Sequence, residues 1–111
     1  MHYAFAFPIL PGKADMARQF TKDLLGPRKA EYDTLQRRMN IEEERYFLQQ
    51  SPEGDIVIVT GVGPWANVGD FLDPDADPFH RWLLDSIQEV TGVNMLELAA
   101  DEPELMGEWK P

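Results

Sequence analysis

Arg28, His80, Tyr32 and Tyr46 are the side chains of this sequence best suited to chemistry. Leu24, Arg28 and Tyr32 recur at four-residue intervals, which on one continuous helix places a guanidinium on an otherwise apolar stripe. A cation near a core face requires a partner, because an unpaired buried charge is very costly. Arg28 could grip a ligand carboxylate through two parallel hydrogen bonds. It could equally pair with Glu31, Asp33 or an acid of the run 42–44. His80 falls in the first turn of a predicted helix, two residues before Trp82. An imidazole exchanges protons near neutral pH, so His80 and Tyr32 are the candidates for proton transfer. The competing reading of His80 is a backbone-bonded ring, since the positive end of a helix disfavours a charged imidazole. Trp65, Trp82 and Tyr46, together with Phe47, are candidate walls of an apolar ligand pocket.

Other chemistries find less support. The chain has no cysteine, which removes disulfides and thiol catalysis. Asp73, Asp75 and Asp77 have the spacing that opens a calcium loop. The glycine such a loop needs at its sixth place is Pro78, and the glutamate at its twelfth is Leu84. These aspartates read as a capped linker, and neither a metal nor a cofactor is expected. Gly61-Val62-Gly63 lacks the third glycine of a dinucleotide fingerprint, Ala66 standing in its place, and reads as a strand end. Glu42-Glu43-Glu44 reads as a solvated strand start, although inward carboxylates there would suit a pocket.

Twenty acidic residues against ten basic ones leave a net charge of −10, which disfavours nucleic acid and anionic membranes as partners. No run approaches the roughly 18 apolar residues of a spanning helix. The opening "MHYAFAFPILPG" has no basic segment ahead of its apolar one and so makes a poor signal peptide. A cytoplasmic protein is the resulting expectation. A chain of 111 residues suffices for one domain, and surface scaling gives a folded area of roughly 6,000 Å².

The elements that must position these side chains follow from periodicity. Residues 2–10 alternate with period two and predict a strand. Helical spacing runs from Met16 to Met39, with Asp15 as its predicted N-cap and a kink or break at Gly26-Pro27. Residues 41–50 and 55–62 predict a hairpin closed by the turn Ser51-Pro52-Glu53-Gly54. "IVIVTG" is apolar on successive positions, which predicts a strand covered on both faces. A short helix is expected over 65–72. A longer one is expected to be capped by Asp77, to start at Pro78 and to end at Gly92. "VNMLELA" predicts a last strand, ahead of an acidic tail over 100–111.

The resulting order, strand-helix-strand-strand-helix-strand, is the ferredoxin-like βαββαβ pattern of α+β domains, with helices on one face of a four-stranded antiparallel sheet. Tyr3, Phe5, Phe7, Val57 and Val59 are read as supplying apolar residues to both faces of that sheet. An open apolar face predicts a homodimer with paired sheets. This order, the kinked helix "FTKDLLGPRKAEYDTLQRR", the hairpin "YFLQQSPEGDIVIV" and the helix start "DPFHRWL" together resemble the dimeric α+β-barrel superfamily. More narrowly, they resemble a group of small bacterial proteins in it without an assigned activity. The resemblance implies a single barrel-forming domain over 1–111 and a small apolar or aromatic ligand. It leaves open whether the protein is a cofactor-independent monooxygenase- or isomerase-like enzyme or a non-catalytic binding or regulatory module. Members of that group carry an acid where this chain has His80, a departure that separates His80 from any shared role.

Overall fold

A computed structural model describes all 111 residues. Three strands, β1 (His2–Ile9), β2 (Glu43–Gln49) and β3 (Asp55–Val62), form one antiparallel sheet in the order β1-β3-β2. Three α-helices, α1 (Ala14–Leu25), α2 (Lys29–Arg38) and α3 (Pro78–Thr91), and a 3₁₀ turn (Val68–Phe71) complete the α+β fold. No helix is long and apolar enough to cross a membrane.

The punctuation of the sequence accounts for most boundaries. Pro27 has no N–H to donate, and the chain breaks between α1 and α2 instead of merely bending. The Arg28 N–H returns to the Asp23 carbonyl at 2.8 Å and the Lys29 N–H to that of Gly26 at 3.1 Å. The hairpin turn forms as expected, with Gly54 at φ 132° donating its N–H to the Ser51 carbonyl. Asp77 caps α3 by accepting the Phe79 N–H at 2.9 Å, Pro78 occupies the first turn, and Gly92 closes the helix at φ 77°. Asp15 is not a cap. Lys13 precedes α1, and Asp15 bonds Arg18 at 2.7 Å from within the first turn.

Two expectations about the sheet need correction. The last strand is absent, so the sheet has three strands. The Asn94 side chain accepts the Leu96 N–H at 3.0 Å, and the Asn94 carbonyl takes the N–H groups of Glu97 and Leu98. The backbone of 94–98 therefore spends its hydrogen bonds on a local turn, a known competitor of strand pairing. Met95 is buried in the core beside α3. The second correction concerns the faces. Tyr3, Phe5, Phe7, Val57 and Val59 all lie on the side covered by the helices. The open side carries the alternate residues, among them Ala4, Ala6, Ile56, Ile58 and Phe47, the last 50% exposed. The covering of β3 expected on both sides is present on one.

The core joins α1, α2 and α3 through Leu24, Leu35, Phe79, Leu83 and Leu84, with Phe79 and Leu35 almost wholly enclosed. Residues 101–111 are exposed, including Leu105, Met106 and Trp109. That tail helps explain why the surface, 7530 Å², exceeds the roughly 6,000 Å² expected for a compact chain of this size.

Candidate functional site

Between the sheet and the helices lies a cavity of about 340 Å³. Tyr3, Phe5 and Phe7 of β1 and Val57 and Val59 of β3 form its floor, α1 and α3 roof it with Phe20, Leu24, Leu83 and Ile87, and the segments after β3 and α3 close its side with Trp65, Met95 and Leu98. Alternation explains the floor: every second residue of β1 faces the helices.

One corner of the cavity is polar, and it gathers every tyrosine of the chain. Glu44 Oε1 accepts the Tyr32 hydroxyl at 2.7 Å, the Tyr46 hydroxyl at 2.6 Å and the Gln36 amide at 3.1 Å. Glu44 Oε2 accepts the Tyr3 hydroxyl. The Tyr32 and Tyr46 oxygens are themselves 2.6 Å apart. Three elements converge here: β1 supplies Tyr3, α2 supplies Gln36 and Tyr32, and β2 supplies Glu44 and Tyr46.

Register explains how Tyr3 reaches Glu44. Both pair with Gly61 of the central strand, so they sit on the outer strands two spacings, or about 10 Å, apart. A side chain at 61 would stand between them. Gly61 has none, and the Tyr3 ring lies directly over it; a Cβ there would overlap the ring and its hydroxyl. Trp65 holds the ring from the other side, edge-on to Tyr3 at 6.2 Å and to Phe5 at 5.8 Å between centroids.

Burial pushes all three phenols above the usual tyrosine range, and the charge and hydrogen bonds of Glu44 push them further. At neutral pH they are hydrogen-bond donors, not bases. Because the folded-state values are raised, this contribution to stability is present below about pH 10, where the unfolded phenols keep their protons, and is lost as pH rises beyond it. Alkaline titration should therefore show no tyrosinate absorbance while the chain is folded, then one cooperative step coincident with loss of the circular dichroism signal. A phenol titrating near pH 10 in the folded protein would contradict this cluster.

The remaining residues singled out from sequence divide between this cavity and its surroundings. Tyr32, Tyr46 and Trp65 line it. Arg28 does not: its guanidinium lies over the Trp82 ring, 4.8 Å from the centroid, and 3.3 Å from Glu31. The break at Pro27 makes Arg28 the N-cap of a new helix, so the stripe Leu24-Arg28-Tyr32 is not continuous. Trp82 packs against Phe20 and Phe79 and borders a separate, smaller groove with Met16 and Gln19. His80 is buried away from the cavity. Its Nδ1 accepts the Asp73 N–H at 2.9 Å, which leaves the proton on Nε2, 3.4 Å from Asp77. Phe47 is on the open face. The aspartates of 73–77 serve the chain locally: Asp73 accepts the Ala76 N–H, Asp75 pairs with Arg81 and Asp77 caps α3.

Glu44, Gln36, Tyr3 and Gly61 were not identified from sequence as members of a site. The available signal was Gly61, a glycine inside a β-branched strand, which often marks a close approach. No family model, no curated protein and no solved structure matches this chain. What the fold and site define is a small α+β protein with a three-stranded antiparallel sheet, a largely apolar cavity between sheet and helices and one carboxylate ringed by three tyrosines.

Proposed function

We propose that this is a small-molecule-binding protein whose ligand occupies the cavity between sheet and helices. The observation that supports the reading is the cavity itself. Its volume, about 340 Å³, falls within the roughly 300–1,000 Å³ of ligand sites, and it combines apolar walls with a hydrogen-bonded polar corner, as such sites do. A cofactor-independent monooxygenase- or isomerase-like reaction would use the same parts. The walls would desolvate an enolisable substrate, Glu44 would accept its proton, and the protonated phenols of Tyr3 and Tyr32 would hold the corner's geometry. The experiment is titration with a neutral solvatochromic naphthalene dye. The expected result is a saturable blue shift at one site per chain, abolished by Val57→Trp, which fills the cavity from its floor. A dye that fails to bind, or binds Val57→Trp equally well, would refute the reading.

A second reading, a non-catalytic homodimer joined through its sheets, is favoured by a different observation: the apolar residues Ala4, Ala6, Ile56, Ile58 and Phe47 on the uncovered face. It calls for a native mass near twice 12.7 kDa that Ile58→Lys halves. A monomeric wild-type chain at micromolar concentration would exclude it.

A further inference from the structure

We infer that the ligand of this cavity is a hydrophobic cation, an amine or quaternary ammonium carried on an apolar or aromatic body. The inference rests on the small-molecule reading above and specifies the class of molecule.

Three independent observations point the same way. The first is charge. Glu44 and Asp101 are the charged side chains of the cavity lining, and no lysine, arginine or histidine reaches it. A ligand carboxylate or phosphate would enter an apolar space with no counter-charge, inside a chain of net charge −10. Arg28, the cation best placed by sequence to meet an anionic ligand, is spent outside on Trp82 and Glu31.

The second is the direction of the hydrogen bonds. The phenol protons are taken up by Glu44 and by the bond between Tyr32 and Tyr46, the Thr21 hydroxyl donates to the Ala17 carbonyl at 2.9 Å, and the Thr91 hydroxyl donates to that of Ile87 at 2.7 Å. Every hydroxyl proton of the lining is thus already committed, and what these groups still offer is lone pairs. The donors left, the Asn67 amide and the Trp65 indole, are neutral. Such a lining suits a ligand that brings positive charge and N–H or N–CH₃ groups of its own.

The third is the arrangement of the aromatic rings beside the carboxylate. Trp65 meets Tyr3 at 73° and Phe5 at 77°, so that ring faces and edges form the corner of a box. Tyr32 and Tyr46, which also line the cavity, bring two further aromatic rings to Glu44 through their hydroxyls. Aromatic faces carry negative quadrupole charge and attract cations, most strongly where water is excluded, and quaternary ammonium groups are recognised this way. A carboxylate at the apex of such a corner adds a full charge to the same potential.

The test is isothermal titration calorimetry of the whole protein with three molecules of nearly the same shape: trimethylanilinium, tert-butylbenzene and benzenesulfonate. The expected order is cation first by about tenfold over the neutral hydrocarbon, with the sulfonate not binding. Glu44→Gln should bring the ratio of cation to hydrocarbon affinity close to one. Asp101→Asn, at an exposed position of the lining that makes no hydrogen bond to the tyrosines, should lower the same ratio by a smaller factor and serves if the Glu44 variant does not fold. Hydrocarbon binding as tight as the cation, or sulfonate binding tightest, overturns the cation inference and leaves the cavity reading intact. Binding of none of the three overturns both.

Discussion

Replacing Glu44 by leucine is expected to lower the midpoint of thermal unfolding by roughly 10–15 °C, corresponding to a loss of about 3 kcal/mol. The carboxylate is the shared acceptor for Tyr3, Tyr32, Tyr46 and Gln36. With leucine in its place, the Tyr32 and Tyr46 oxygens, 2.6 Å apart, can still satisfy one proton between them. The Tyr3 hydroxyl, the other of that pair and the Gln36 amide lose their acceptor, at about 1 kcal/mol each for partly buried groups. Against a typical total of about 5–15 kcal/mol the loss is large. Glu44→Gln should retain most of the stability, because a neutral carbonyl still accepts. It should also move the alkaline transition only part of the way toward pH 10, since burial is the largest cause raising the phenols and the substitution does not change burial. Thermal melts of both variants check the pair. A leucine variant as stable as wild type would mean the cluster is not closed in solution.

Gly61→Ala is expected to destabilise by about 2–3 kcal/mol, a large effect for one methyl group. Cβ would occupy the space of the Tyr3 ring, which Trp65 and Phe5 prevent from sliding aside. The ring must lift, and its hydroxyl leaves Glu44. The double-mutant cycle separates this from an ordinary glycine effect. In a Tyr3→Ala background the ring atoms nearest that Cβ are gone, and Gly61→Ala should there be neutral or stabilising by about 0.5 kcal/mol, through a less disordered unfolded chain. Equal costs in both backgrounds would show that Tyr3 does not lie over Gly61.

How much of this was legible in advance depends on the range of the interaction. Asp77-Pro78 at the start of α3, Gly92 at its end, the break at Gly26-Pro27 and the turn at Ser51–Gly54 all follow from backbone preferences acting over a few residues. Tyr32, Tyr46 and Trp65 were recoverable as pocket residues because aromatic side chains on covered faces line cavities. Arg28 and His80 drew attention for their chemistry and fell outside the cavity for geometric reasons. One begins a second helix whose phase the proline reset, and the other is held by the loop it follows.

By itself, then, the sequence determined the order of the first six elements, the caps of α3, the break between α1 and α2, the hairpin turn and the excess of negative charge. These are properties of local stereochemistry and composition, whereas which side of the sheet the helices cover was settled only by the fold. Residues 93–99 turn instead of pairing through hydrogen bonds local to Asn94, while the tertiary structure decided that this turn would bury Met95 in the core with Leu98 packed against it. Only the tertiary structure, too, decided that Glu44, from a run of three glutamates that reads as solvated, would be the one enclosed. Its partners Tyr3, Tyr32, Gln36 and Tyr46 stand 41, 12, 8 and 2 positions away in the chain, and the common register of Tyr3 and Glu44 with Gly61 is a property of strand pairing that no local pattern encodes.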